Sequence, residues 1–294
     1  MKIARTIEEV RAAVANARAH GAVIGFVPTM GFLHEGHLSL VRNVATAALS
    51  GRGAAEGSGT HMFIIVSIFV NPTQFGPTED FSRYPRDEER DRALLESENV
   101  DLLFLPEVDV MYPPGATTRI DAGAVARPLE GARRPGHFEG VATVVAKLFN
   151  IVQPDVAVFG RKDAQQCAVI ERMTRDLDIP LRLVFGETMR EHDGLAMSSR
   201  NSYLSADERA KAPVLHRALR AGEEAITHGI REVAGIEKLM HRVVAEEGGV
   251  EVDYLAVVDP LTFEAPRDFD REVLVAGAVK IGRTRLIDNI RIPR

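Results

Sequence analysis

Apolar residues recur along this chain at two spacings, and the spacings divide it into elements. Ile7, Val10 and Val14, three and four residues apart, predict a helix over 6–20 that Gly21 stops. The uninterrupted apolar run 22–27 predicts a strand, broken by Pro28 and Gly31. Leu38, Leu40, Val41 and Val44 then predict a helix from 36 toward 49. The run 61–70 is rich in β-branched residues and about half as long as a membrane-spanning helix needs, so it predicts a buried strand.

The alternation continues with a helix over 86–98, a strand over 100–105, a helix over 138–152, a strand over 156–159, a helix over 164–177 and a strand over 181–185. Strands and helices in turn predict a parallel sheet covered on both faces. Such sheets bind ligands beyond the carboxyl ends of their strands, where the strand order reverses. The loops after Val27, Val70 and Phe159 are therefore the places to look for chemistry.

Beyond Asn201 the pattern changes to two long amphipathic stretches, 206–228 and 233–247, followed by strands near 252–258, 273–279 and 285–290. This predicts a smaller α+β unit, with a boundary near Met189 that divides the chain into domains 1–188 and 189–294. The stretch 51–59, glycine-rich and poor in bulky residues, reads as a surface loop.

Composition narrows the function classes. With 45% hydrophobic and 27% charged residues the 294-residue chain is of ordinary globular type, with material for one large core or two unequal ones. A net charge of −6 argues against nucleic acid and anionic membrane as partners, since both demand a basic surface. Local basic residues at 127–134 and 161–162 leave room for an anionic small substrate. The one cysteine, Cys167, allows no intrachain disulfide framework, and the charged N-terminus lacks a secretory apolar stretch; both fit a cytoplasmic protein.

Four constellations follow predicted elements. In Pro28-Thr-Met-Gly-Phe-Leu-His-Glu-Gly-His37, His34 and His37 fall where a helix N-terminus presents free N–H groups, a setting suited to phosphate. They read either as donors to a transferring phosphoryl group or as ordinary loop histidines; a zinc site lacks a third ligand. In Asn71-Pro-Thr-Gln74, the Gln74 amide can orient a hydroxyl or carboxylate without adding charge. In Gly160-Arg-Lys-Asp163, Gly160 permits close approach, Lys162 supplies a charge for phosphate and Asp163 can orient a ribose; Gln166 follows on the next helical turn. Met197-Ser-Ser-Arg200 places two hydroxyls and a guanidinium in a row. Arg134-Pro-Gly-His137 is a weaker basic candidate, Asp91 reads as an Mg²⁺ ligand or as part of a solvated helix face, and neither a P-loop nor a dinucleotide fingerprint is present.

Taken in order, Val27-Pro-Thr-Met-Gly31 with His34-Glu-Gly-His37, Val66-Ser-Ile-Phe-Val-Asn-Pro72 with Gln74, Tyr84-Pro-Arg86, Arg134-Pro-Gly-His-Phe138, Lys147-Leu-Phe-Asn150, Gly160-Arg-Lys-Asp163, Ser198-Ser-Arg-Asn201 and Arg285-Leu-Ile-Asp-Asn289 resemble the pantothenate synthetase family over most of the chain. The resemblance implies a Rossmann-like nucleotidyltransferase domain with a small C-terminal lid, usually homodimeric. It implies ATP with Mg²⁺, pantoate and β-alanine as substrates, joined through a pantoyl adenylate. It also implies roles: Met30, Gly31, Phe32, Leu33, His34, Glu35, Gly36 and His37 line the ATP site, with His37 the proton donor and His34, Lys162 and Arg200 sharing the catalysis. Gly160, Arg161, Lys162, Asp163, Met189, Met197, Ser198, Ser199 and Arg200 complete the ATP contacts, while Gln74 and Gln166 hold pantoate. Arg161 departs from the Glu or Gln usual there, and 51–59 looks like an insertion. A related AMP-transferring enzyme with a phosphate acceptor and a catalytically silent nucleotide-binding module are the competing expectations.

Overall fold

The computed structural model describes residues 1–47, 61–77 and 79–294; the glycine-rich stretch 51–59 lies outside them. The N-terminal unit runs β1 (Lys2–Ala4), α1 (Ile7–Ala19), β2 (Val23–Thr29), α2 (Glu35–Ala47), β3 (Met62–Ile68), α3 (Glu88–Ser97), β4 (Leu102–Phe104), α4 (Val108–Met111), α5 (Glu130–Arg133), α6 (His137–Val152), β5 (Val156–Gly160), α7 (Ala164–Asp176) and β6 (Arg182–Gly186). Its strands form one six-stranded sheet in the order β1-β4-β3-β2-β5-β6, with every pairing parallel. From β2 the chain builds through β3 and β4 toward one edge, then β5 and β6 add on the opposite side of β2. The reversal falls between β2 and β5, so the loops leaving Thr29 and Gly160 face one crevice, as in doubly wound nucleotide-binding sheets.

Burial follows from this layering. Ile24, Phe26 and Ile65 project to the face covered by α1, α6 and α7, while Val27, Val66 and Leu103 project to the face covered by α2 and α3. Alternation along the strands thus feeds two separate cores. α6 lies deep in the first, with only Glu139, Lys147 and Asn150 of its sixteen residues not buried. Gly140 is what lets it sit there: a Cβ at that position would stand 2.4 Å from the Thr73 carbonyl oxygen.

The C-terminal unit comprises α8 (Ala206–Lys211), α9 (Val214–Thr227), α10 (Val233–Glu247), β7 (Val250–Val258), β8 (Val273–Ile281) and β9 (Thr284–Ile292), the strands forming an antiparallel sheet in that order. Val273, Val275, Val279 and Ile281 of β8 pack with Leu219, Ile236 and Met240 from α9 and α10. Leu274 and Ala276, on the other face, join Val258 and Phe263 in the same cluster as Cys167 and Ile170 of α7. The small sheet is therefore apolar on both faces and is docked on the first unit through a buried seam.

Three features differ from the pattern-based expectation. β2 runs through Pro28 to Thr29, because it stays paired with β3 to its end, whereas its pairing with β5 ends at Phe26, so the proline lies where only one side of the strand is paired. The stretch 206–228 is two helices, interrupted at Ala212 and Pro213, since proline cannot continue the backbone ladder. β1, three residues long, carries no readable period and is recruited beside β4 by Ile3 and Ala4.

Candidate active site

The histidine loop is held from below. After β2, Gly31 and Phe32 take positive φ (81° and 50°), which turns the chain sharply inward. Asp91, on α3 and 2% exposed, accepts the amides of Phe32 and Leu33 at 2.7 Å each, and Leu33 is fully buried. The turn delivers His34 and His37 to the start of α2 with their ring centroids 4.1 Å apart. His37 Nδ1 accepts the His34 amide at 3.3 Å and His34 Nδ1 accepts the Gly36 amide at 3.2 Å. A ring nitrogen that accepts carries no proton, so both rings are Nε2–H tautomers when neutral. Burial, with Lys162 and Arg90 nearby, lowers His34 to about 4. Burial, then His34 and Lys162, holds His37 well below the usual histidine range. Both act as neutral hydrogen-bond donors near pH 7.

Opposite stands the loop from β5 to α7. Lys162 Nζ lies 3.8 Å from Asp163 Oδ1. Of the two glutamines opening α7, Gln165 is consumed by structure, accepting the Glu130 amide and donating to the carbonyls of Val125 and Pro128. Gln166 has none of these bonds and lines the cavity.

Gln74 ends the short turn Pro72–Gln74 after β3, and its side chain is fixed by Asn71 Nδ2 donating to Oε1 at 3.0 Å and by its own Nε2 on Met30 Sδ at 3.2 Å. His137 Nδ1 lies 2.8 Å from the Gln74 carbonyl and its Nε2 is 3.0 Å from Arg134 Nη1. Since the carbonyl can only accept, Nδ1 bears the proton and Nε2 accepts from the guanidinium. Arg134 is in turn bound by Glu79 at 2.7 and 2.8 Å. Arg200 makes a two-pronged bond to Asp80, 2.9 Å at each prong, and its guanidinium lies 5.7 Å from the Tyr84 ring centre.

These side chains surround a cavity of about 220 Å³ at the strand reversal. The expected catalytic set His34, His37, Lys162 and Arg200 all line it, as do Gln74 and Gln166. Met30, Gly36, Gly160, Asp163, Met189, Met197, Ser198 and Ser199 complete the expected residues that it gathers. A second cavity of about 820 Å³ adjoins it, shares Arg134, Lys162, Asp163, Ser198 and Arg200, and extends to the turn between β8 and β9.

Other expected residues lie elsewhere. Gly31, Phe32, Leu33, Glu35 and Arg161 are outside the lining of both cavities. The Phe32 and Leu33 amides are spent on Asp91, Glu35 pairs with Arg42 on the outer side of α2, and Arg161 reaches Glu187 at 3.1 Å while lying against Phe185. Asp91 is neither solvated nor at the cavity: it is a buried anchor for the histidine loop. Sequence reasoning missed Glu79 and Asp80, the counter-charges of Arg134 and Arg200. A buried guanidinium demands a carboxylate, yet nothing in the pattern links positions 120 apart.

The family model described as pantoate-beta-alanine ligase matches residues 2–291. The chain is 53% identical over 291 residues to a pantothenate synthetase of Herpetosiphon aurantiacus, covering 99% of each. Its fold matches the crystal structure of the Thermus thermophilus pantothenate synthetase with a TM-score of 0.89 at 47% identity, 99% of each chain being covered. It matches the Francisella tularensis pantoate-beta-alanine ligase, solved with beta-gamma ATP and beta-alanine, with a TM-score of 0.78 at 32% identity over 99% of this chain and 97% of that one.

Proposed function

The chain belongs to the pantoate–β-alanine ligase family, and from that premise we propose that it joins pantoate to β-alanine in two steps through a pantoyl adenylate. The observation carrying this reading is the make-up of the small cavity, which two neutral imidazole donors, Lys162 and two uncharged glutamine amides line together. The imidazoles and Lys162 suit phosphate, and the glutamine amides suit a hydroxy acid.

In the first step the pantoate carboxylate attacks the α-phosphorus of ATP and pyrophosphate leaves. Gln74, immobilised by Asn71, and Gln166 orient the hydroxyl and carboxylate groups of pantoate. The Nε2–H groups of His34 and His37 and the Lys162 ammonium donate to phosphate oxygens as charge accumulates on them. Because the histidines are already neutral, they stabilise this charge by hydrogen bonding and need no proton exchange. Arg200, prealigned by Asp80, completes the cationic side. In the second step the β-alanine amine attacks the acyl carbonyl, AMP leaves, and the same donors hold the departing phosphate.

Among the described residues no three His, Cys, Asp or Glu side chains gather as a metal site, and both Asp91 oxygens accept backbone amides. Mg²⁺ would enter with the nucleotide as the substrate MgATP and would there screen the negative charge of the triphosphate. The division into a nucleotide- and pantoate-binding unit, 1–188, and a lid, 189–294, belongs to the same reading. The seam at Leu274 and Ala276 serves as the pivot, and the large cavity is the space that closure narrows. A cytoplasmic homodimer completes the reading, supported by the family resemblance, and light scattering tests the assembly. No helix among the described residues is long and apolar enough to cross a membrane.

The testing experiment measures pyrophosphate and AMP released from MgATP with pantoate, with and without β-alanine. Stoichiometric pyrophosphate without the amine, and turnover only with it, supports the adenylate. AMP transfer to a phosphate acceptor, with no dependence on the amine, overturns it.

A further inference from the structure

Asn289 belongs to β9 of the C-terminal unit, yet its side chain ends in the loop that carries Lys162. Nδ2 donates to the carbonyl oxygens of Arg161 and Lys162, at 2.9 Å each. A side-chain amide nitrogen has two hydrogens, so the two contacts saturate it. The two carbonyls belong to the peptide units on either side of the Lys162 Cα. Holding both fixes the backbone rotations that aim the lysine side chain.

Asn289 is itself pinned. Its amide donates to Asp288 Oδ1 at 2.8 Å and its carbonyl accepts Arg190 Nη2 at 3.3 Å. Arg190, in the segment joining the two units, binds both Asp288 oxygens at 2.6 and 3.0 Å. Asp288 and Asn289 are buried, so water does not substitute for a lost bond as it would at the surface. Two main-chain bonds also restrain this loop, the Arg161 amide on the Gly186 carbonyl at 2.9 Å and the Asp163 amide on the Gly160 carbonyl at 3.4 Å, while the carbonyls of Arg161 and Lys162 are both held by Asn289.

We propose that Asn289 is the positioning residue for Lys162: the C-terminal unit sets the aim of the phosphate-binding lysine by gripping its backbone. The proposal rests on the assignment of Lys162 to the phosphate side of the site. It explains why the β5–α7 loop can be short and still hold a flexible four-carbon side chain at a working position. Asn289 does not touch the reacting atoms; its effect reaches them through Lys162.

The test compares wild type, Asn289→Ala, the isosteric Asn289→Asp, Lys162→Ala and the double variant Lys162→Ala/Asn289→Ala in pantoate-dependent ATP–pyrophosphate exchange, with thermal melting as the folding control. Misplacing a catalytic group by about 1 Å costs on the order of a hundredfold. Both Asn289 variants should therefore lose about ten- to a hundredfold in kcat, with the KM for pantoate unchanged. The double variant should be no slower than Lys162→Ala alone, as expected for residues acting through one group. Should Asn289→Ala fail to melt cooperatively, Asn289→Asp, which keeps the volume and loses both donors, decides the matter. A loss fully additive with that of Lys162→Ala, a parallel rise in pantoate KM, or undiminished kcat would overturn the proposal. Undiminished exchange in Lys162→Ala would instead overturn the assignment of Lys162 on which it rests.

Discussion

Asp91 and Leu33 lie 58 positions apart in the chain, and the carboxylate of one accepts the amide of the other at 2.7 Å. With the matching bond from the Phe32 amide, this contact decides where the histidine loop turns and therefore where His34 and His37 point. Burial raises the Asp91 carboxyl above its usual range despite the two amide bonds. Asp91→Ala leaves two amides without an acceptor, each unsatisfied group costing about 1–3 kcal/mol. We expect a loss of stability on the order of 3 kcal/mol in urea titrations together with a raised KM for ATP. The Mg²⁺ dependence of Asp91→Asn should match that of wild type; a steeper requirement would return Asp91 to the metal.

The histidines predict a pH signature. With His34 lowered to about 4 and His37 well below its ordinary value, the rate profile should show no limb near 6.5 and should fall only toward pH 4. His34 and His137, each at about 4, also bind fewer protons folded than unfolded between pH 4 and 6.5. Their contribution is fully present above 6.5 and is lost as pH falls through that window, by up to about 1.4 kcal/mol per pH unit for each residue. Melting temperatures across this range test the sign.

Between the units, Glu130 accepts both arms of Arg285 at 2.7 and 2.8 Å, Tyr254 donates to it at 2.9 Å, and Asp253 takes the rest of the guanidinium. Burial pushes the Glu130 carboxyl up, but Arg285 wins and holds it below its usual range. Removing one partner of a buried pair costs about 3–5 kcal/mol, because the other is stranded. Arg285→Ala should lower stability by that amount near pH 7. The difference from wild type should shrink as pH drops below about 4.5, where Glu130 of the unfolded chain takes up its proton.

Gly140→Ala probes the seat of Gln74. The added methyl would meet the Thr73 carbonyl at 2.4 Å and the Gln74 Cα at 2.8 Å, both backbone atoms that cannot rotate away. Either α6 or the turn must shift, and since α6 is buried almost all round, the turn gives way. Pantoate KM should rise at least tenfold while ATP KM changes little. Separate saturation curves for the two substrates check this.

What the sequence disclosed and what it withheld divide along a physical line. Local period exposed α1, α2, α7 and the buried strands β3 and β5, because each element buries its own face. Motifs placed after strands pointed to His34, His37, Lys162 and Gln166, which the structure brings to one cavity, since the ends of parallel strands are where such sheets open. Long-range counter-charge was not legible: nothing near Arg200 announces Asp80, and nothing near Glu130 announces Arg285. Contiguity also misled, because Phe32, Leu33 and Glu35 sit inside the histidine motif yet face away from the cavity, as a tight turn between His34 and Met30 requires. The C-terminal strands were legible as strands, but not that Leu274 and Ala276 would complete the first unit's core.

Adenylate formation at the histidine loop is tested most simply by pantoate-dependent ATP–pyrophosphate exchange in the absence of β-alanine, measured for wild type and for His37→Ala. Wild type should show exchange that requires pantoate, and the variant a loss of about a hundred- to a thousandfold, the usual consequence of removing one transition-state donor. Exchange that proceeds without pantoate, or that is untouched by loss of His37, would contradict it.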